Sequence, residues 1–114
     1  MIVDDEIDFV KIFEEILFAL GINVVATAHS GKDAAELYQI MAPDVVFLDL
    51  FMPEYDGFYA VEEIRKVAPN AKIIIVTANH EIENMMEVKA DALIKKPFDV
   101  STIKKVMNWI DQTQ

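Results

Sequence analysis

Three continuous apolar runs punctuate the chain: Val24-Val25-Ala26, Val45-Val46-Phe47-Leu48 and Ile73-Ile74-Ile75-Val76. Unbroken runs of this kind predict strands covered on both faces, as in parallel sheets, because a half-exposed strand would alternate apolar with polar residues. Met1-Ile2-Val3 and Ala92-Leu93-Ile94 are shorter runs of the same character. Between them the apolar spacing changes to three and four. Val10, Phe13, Leu17 and Leu20 form one helical stripe, ended by Gly21 at a C′ position. Ala34, Leu37, Tyr38 and Met41 form a second, closed by Pro43. Phe58, Val61, Ile64 and Ala68 form a third, stopped before Pro69, and Ile103, Val106, Met107 and Ile110 form the last. From Thr77 to Lys89 the signal is weaker, with Ile82, Met85, Met86 and Val88 as its large apolar residues, and it predicts a short helix. The alternation reads as five βα units, whose right-handed crossovers place helices on both faces of one parallel sheet.

The first strand poses a difficulty. Three residues make only about 10 Å of strand, which costs little at a sheet edge and much at its centre. With 114 residues, no linker and no repeat, the chain reads as one domain over 1–114, and a hydrophobic content of 54% supplies a core of its own. The absence of cysteine excludes a disulfide framework, a thiolate metal site and a thiol nucleophile. No stretch approaches the roughly 18 consecutive apolar residues of a membrane span, and the acidic N-terminal region is unlike a basic signal peptide. The expectation is a cytoplasmic domain. A net charge of −10 repels nucleic acid and anionic membrane surfaces, so direct contact with either is not expected.

Chemistry collects where the apolar segments end. Asp4-Asp5 follow Val3, Asp49 follows Leu48, Thr77 follows Val76, and Lys96 follows the run Ala92 to Ile94. Parallel strands share one carboxyl edge, and open α/β sheets bind their ligands there. Each residue alone has an ordinary reading. Asp4, Asp5, Glu6 and Asp8 could cap the first helix, Asp49 could be a turn residue, Thr77 a strand end, and Lys96 a solvated charge. Together they form a constellation that chance placement explains poorly. Three clustered carboxylates repel one another, and a hard divalent cation with oxygen ligands relieves that repulsion. Mg²⁺ fits, since it holds one or two carboxylates, keeps several waters and completes its shell from phosphate. The constellation therefore points to a phosphorylated partner or intermediate.

Four local motifs occur in order: Val3-Asp4-Asp5-Glu6, then Asp49-Leu50-Phe51-Met52-Pro53 with Asp56-Gly57, then Val76-Thr77-Ala78, then Lys96-Pro97-Phe98. The set resembles the receiver domain of two-component response regulators over nearly the whole chain. That resemblance implies a flavodoxin-like doubly wound sheet in the order 2-1-3-4-5. It also implies that Asp49 takes a phosphoryl group from a phosphohistidine on a sensor histidine kinase or phosphotransfer protein, forming an aspartyl phosphate. Asp5 and Asp49 would ligate Mg²⁺ directly, Asp4 mainly through water, and the Phe51 backbone carbonyl would supply another oxygen. Lys96 would pair with one phosphoryl oxygen and Thr77 would donate its hydroxyl to another, while the small Ala78 leaves the phosphate accessible. A cis Lys96–Pro97 bond is also implied. The domain would be no enzyme acting on a separate substrate; it would catalyse its own phosphorylation and dephosphorylation. It would signal by conformational change to an output partner or a second copy, through the predicted fourth helix, fifth strand and fifth helix.

Three features depart from the family pattern. Leu93 stands three residues before the lysine, where most members carry Tyr or Phe, so the aromatic half of the usual switch is missing. Lys89 replaces a Gly that often precedes Ala90, and the segment from Thr77 to Lys96 is a few residues short. Rival functions have their own requirements. A flavodoxin-like redox protein needs a neutral hydroxyl- or Gly-rich loop where Asp4-Asp5-Glu6 stands. A hydrolase-type phosphatase needs a second Asp where Phe51 stands. A receiver-like interaction module that takes no phosphoryl group would have no need of Asp4, Asp5, Asp49, Thr77 and Lys96 together. His29 and His80 match no metal spacing and read as surface or loop residues, Met85-Met86 as packing, and Trp109 as core and rim.

Overall fold

The computed structural model describes residues 1–78 and 89–112. Its elements are β1 (Ile2–Val3), α1 (Ile7–Ala19), β2 (Thr27–Ala28), α2 (Gly31–Met41), β3 (Val45–Leu48), α3 (Gly57–Val67), β4 (Lys72–Thr77), β5 (Ala92–Lys95) and α4 (Val100–Gln112). The strands form one sheet, all pairs parallel, in the order β2-β1-β3-β4-β5. This is the doubly wound arrangement expected. The short helix expected between Thr77 and Lys89 lies outside the described residues, as do His80 and Met85-Met86.

The apolar runs are continuous because both faces are covered. Successive strand residues point to opposite sides, so Val46, Leu48, Ile73 and Ile75 pack with Ala34 of α2 and Ala60, Val61 and Ile64 of α3. Phe47, Ile74, Val76 and Ile94 pack on the other side with Val10, Phe13 and Leu17 of α1 and Ile103 and Ile110 of α4. The helix ends follow local chemistry. Gly21 takes φ +81°, its amide donates to the Phe18 carbonyl, and the Ile22 amide donates to the Leu17 carbonyl, the paired bonds that close a helix at a C′ glycine. Ser30 Oγ accepts from the Asp33 amide at 3.1 Å and Asp56 Oδ1 from the Tyr59 amide at 3.1 Å, which caps α2 and α3. Trp109 is 47% exposed beside the buried Ile110, so it belongs to the rim.

The second strand lies later than its hydrophobicity predicts. Ile2 pairs with Thr27 and Val3 with Ala28, so strand geometry falls at 27–28 rather than at Val24-Val25-Ala26. The reason is pairing: a parallel strand exists only where its neighbour offers a ladder, and Val24 and Val25 precede the first paired residue. Val25 is accordingly exposed.

β1 is as short as the sequence warned, yet it sits inside the sheet, between β2 and β3. Ladders on both sides hold it. Ile2 and Asp4 donate to the carbonyls of Ala26 and Ala28 at 3.1 and 3.0 Å, while the carbonyls of Met1 and Val3 accept from Phe47 and Asp49 at 2.8 and 2.9 Å. Lys89, where glycine was the family expectation, adopts a left-handed backbone at φ +58°. Arg65 of α3 grips its carbonyl through Nε at 3.1 Å and Nη2 at 2.8 Å, and Nη2 also reaches Asp91 Oδ2 at 3.1 Å.

Candidate metal and phosphoryl-acceptor site

Each ladder ends in a polar side chain at the carboxyl edge. The Asp49 amide bonds the Val3 carbonyl, the Asp4 amide bonds the Ala28 carbonyl, and the Lys96 amide bonds the Thr77 carbonyl at 2.9 Å. Asp4, Asp49 and Thr77 are thereby buried, at 1%, 7% and 1% exposure. Carboxylate oxygens of Asp4, Asp5 and Asp49 lie within 4.8 Å of one another. Of the five sequence-predicted side chains, the structure brings all together, across as many as 92 positions of chain.

The capping reading of the first acidic cluster holds only for charge: Asp8 stands in the first turn of α1, but the cap hydrogen bond is not made. Glu6 is the N-cap of α1 and no side chain caps it. Asp4 Oδ1 accepts from the Glu6 amide at 2.9 Å, ahead of the helix, and its other oxygen faces the site, where Lys96 Nζ meets Oδ2 at 2.6 Å. Asp4 is thus anchored by its backbone and by both carboxylate oxygens. The Lys96–Pro97 bond is cis, as the resemblance implies, and the lysine side chain is only 14% exposed.

Asp49 lies at the centre. Burial, and then the negative charge of Asp4, push its carboxyl above the ordinary value of 3.8. The Lys96 ammonium, the Phe51 amide (3.4 Å from Oδ1) and the Thr77 hydroxyl pull the other way without prevailing. The donor set is therefore short of positive charge: three carboxylates meet one ammonium. A hard, oxygen-seeking divalent cation fits such a cluster, and Mg²⁺ in particular tolerates few carboxylates plus water and phosphate oxygens.

Beside the site, Phe51 is 47% exposed and meets Phe58 edge-on at 5.9 Å. His29 is exposed, with Nδ1 2.9 Å from the Asp4 carbonyl oxygen, on the loop as expected. Leu93 of β5 is half-buried against the core under α2 and α3, so no aromatic ring occupies that position. Sequence reasoning passed over Phe9. Its ring centroid lies 3.9 Å from Lys96 Nζ. The helical stripe picked out Phe13 and missed its neighbour one turn earlier, although the i, i+4 aromatic pair was a visible signal.

Gly57 fixes the height of the Asp49 strand end. Its amide donates to the Leu50 carbonyl at 2.9 Å, and a Cβ there would run into the Asp49 carbonyl oxygen and come within 2.6 Å of Leu50 Cα. These are backbone atoms, which no rotamer change can move aside. Gly57→Ala is therefore expected to cost about 1–3 kcal/mol, the usual range for forced overpacking. Urea unfolding of the purified variant checks it, and an unchanged midpoint would refute the close approach.

The sequence model of the response regulator receiver domain matches residues 1–108. The chain belongs to the response regulator receiver domain family. Phosphoryl acceptance is the role of this family, and its members bind Mg²⁺ at an acidic pocket. Among receiver proteins of known role, the chemotaxis protein CheY of Thermotoga maritima is 36% identical over 115 residues, covering 98% of this chain and 96% of that one. CheY of Bacillus subtilis is 33% identical over 111 residues, covering 95% and 92%. Among solved receiver structures, the CheX–CheY–BeF3–Mg²⁺ complex of Borrelia burgdorferi superposes with a TM-score of 0.88 at 31% identity, covering 96% of this chain and 86% of that one. The receiver domain of NtrX from Brucella abortus gives 0.87 at 27% identity, covering 99% and 98%. Among the described residues, no helix of this receiver is long and apolar enough to cross a membrane.

Proposed function

We propose that residues 1–114 form one receiver domain in which Asp49 accepts a phosphoryl group from a phosphohistidine on a sensor histidine kinase or phosphotransfer protein. The observation that carries this is a cluster of three carboxylates at the strand ends with an ammonium paired to Asp4 and a buried threonine at the same edge. In the transfer, an Asp49 oxygen forms a bond to phosphorus as the N–P bond breaks, and the imidazole nitrogen keeps the bonding pair. Such transfers ask the protein chiefly for positioning and for stabilisation of charge on the phosphoryl oxygens. Thr77 is buried at the same strand edge as Asp49 and its hydroxyl favours the ionised Asp49 carboxyl, while Lys96 stands one carboxylate away, so each can follow the phosphoryl oxygens with a small movement.

Asp4, Asp5, Asp49 and the Phe51 carbonyl would hold Mg²⁺, Asp4 chiefly through water. When bound, the ion neutralises the carboxylates and the incoming phosphoryl charge. A relative solved with Mg²⁺ supports the same ion here. The domain would act in the cytoplasm, as no enzyme on a separate substrate, and would catalyse its own phosphorylation and dephosphorylation. Its output partner or second copy would dock on the face of β5 and α4 with the helix expected before them, without contact to nucleic acid or membrane. With Leu93 in place of an aromatic residue, movement at Thr77 is left to carry the conformational signal.

Intact-protein mass spectrometry after incubation with a small acyl phosphate tests the reading. One added phosphoryl group is expected with Mg²⁺ present and none after chelation. Absence of any adduct in both conditions would favour a receiver-like module that interacts without phosphorylation.

A further inference from the structure

We infer that Phe9 is a positioning residue for the site: its ring face holds the Lys96 ammonium while leaving it free to move between Asp4 and the phosphoryl group on Asp49. The inference rests on the phosphoacceptor reading above. Lys96 Nζ has two neighbours of opposite character. On one side, Asp4 Oδ2 accepts at 2.6 Å; on the other, the Phe9 ring centroid lies at 3.9 Å, within the reach of a cation–π attraction. The ring is itself fixed. It tilts against Phe13 at 5.5 Å and meets Phe98 edge-on at 6.2 Å, and Phe98 follows the Lys96-Pro97 pair. Phe13 in turn is fully buried against Phe47 of β3, two residues before Asp49. A chain of edge-on and tilted ring contacts thus runs from under the acceptor strand to the lysine.

The two contacts differ in what they permit. A carboxylate oxygen ties an ammonium down through a directional hydrogen bond, and the ion pair with Asp4 competes with any phosphoryl oxygen for the same three N–H donors. A ring face attracts the charge without a preferred donor direction. An ammonium resting on it can turn its N–H groups from Asp4 toward Asp49 without being released into water. A flexible four-carbon stem with no such support would spend part of its time collapsed on Asp4 or swung outward, and reaction rates fall when a charged group is held out of place.

The test compares wild type with Phe9→Leu, which keeps apolar bulk and removes the ring, and Phe9→Tyr, which keeps the ring. Two readings are taken: NMR shifts of the Lys96 ε-methylene protons in unreacted protein, and the rate of phosphoryl uptake from a small acyl phosphate with Mg²⁺. The expected result is an upfield ring-current shift in wild type and Phe9→Tyr that disappears in Phe9→Leu. Uptake should slow by about three- to thirty-fold in Phe9→Leu, the range a cation–π contact spans when converted to a rate, and recover in Phe9→Tyr. A purely structural role for Phe9 would move the melting temperature of Phe9→Leu and leave the uptake rate of the folded protein alone. Uptake in Phe9→Leu within twofold of wild type, or a Lys96 shift that survives loss of the ring, overturns the inference. Absence of uptake in wild type sinks the phosphoacceptor reading instead, and the shift in unreacted protein then decides the ring contact separately.

Discussion

Asp49→Asn is expected to abolish phosphoryl uptake and, in metal-free buffer at neutral pH, to raise the melting temperature. The first effect follows from chemistry. An amide oxygen carries no full negative charge to attack phosphorus, and the buried neighbour Asp4 is committed to Lys96 and to the Glu6 amide. The second effect follows from the sign of the acidity shift. Burial and the Asp4 charge raise the Asp49 carboxyl above its ordinary value. A carboxylate whose folded pKa exceeds its unfolded pKa binds its proton more tightly in the folded chain. Its contribution to stability is therefore full below the unfolded value and is lost as pH rises through the folded one. At neutral pH the ionised group opposes folding, and asparagine removes that opposition. The gap between variant and wild type should narrow as pH falls. Adding Mg²⁺ should narrow it too, because a ligand of the native state stabilises the wild type by mass action. Calorimetry at several pH values, with and without Mg²⁺, measures this. Identical melting in metal-free neutral buffer would remove the account of the site as a cluster short of positive charge.

Phe13→Ala is expected to be the most damaging core substitution. Phe13 is fully buried, and its ring meets Phe47 at 5.1 Å, Phe98 at 5.4 Å and Phe9 at 5.5 Å. Deleting a buried phenylalanine side chain loses its transfer energy and leaves a cavity, together about 3–5 kcal/mol. Total stability for such a domain is roughly 5–15 kcal/mol, so the variant retains little reserve, and a fall in melting temperature of roughly 10–30 °C follows for a chain of this size. The rings it loses include those that hold Lys96 and frame the turn after it, so the harm reaches the site as well as the fold. Urea unfolding distinguishes the cause. A lower midpoint with an unchanged slope fits a packing loss, whereas a loss under about 1 kcal/mol would show that the neighbouring rings collapse into the gap.

The fold was largely legible because covering a strand on both faces demands a continuous apolar run. Val45 to Leu48 and Ile73 to Val76 are such runs, and the structure splits their alternate residues between two cores. The helix stops were legible for a similar reason: Gly21 and the residues before Pro43 and Pro69 act on their own backbone, with no distant partner required. β2 was misplaced, since Val24-Val25-Ala26 has the stronger strand composition while the ladder lies at Thr27–Ala28. Hydrophobicity records burial, and pairing depends on a strand more than twenty residues away.

The site divides in the same manner. Asp4, Asp5, Asp49, Thr77 and Lys96 could be named from the sequence because residues that end parallel strands must share one edge. Only the tertiary structure decided which atoms meet. It set Lys96 on Asp4 Oδ2, the Glu6 amide on Asp4 Oδ1, a two-residue β1 inside the sheet, and the Phe9 ring against the ammonium. Periodicity determines which side of an element faces inward; the partner across the gap is chosen by packing and register, which no local pattern encodes.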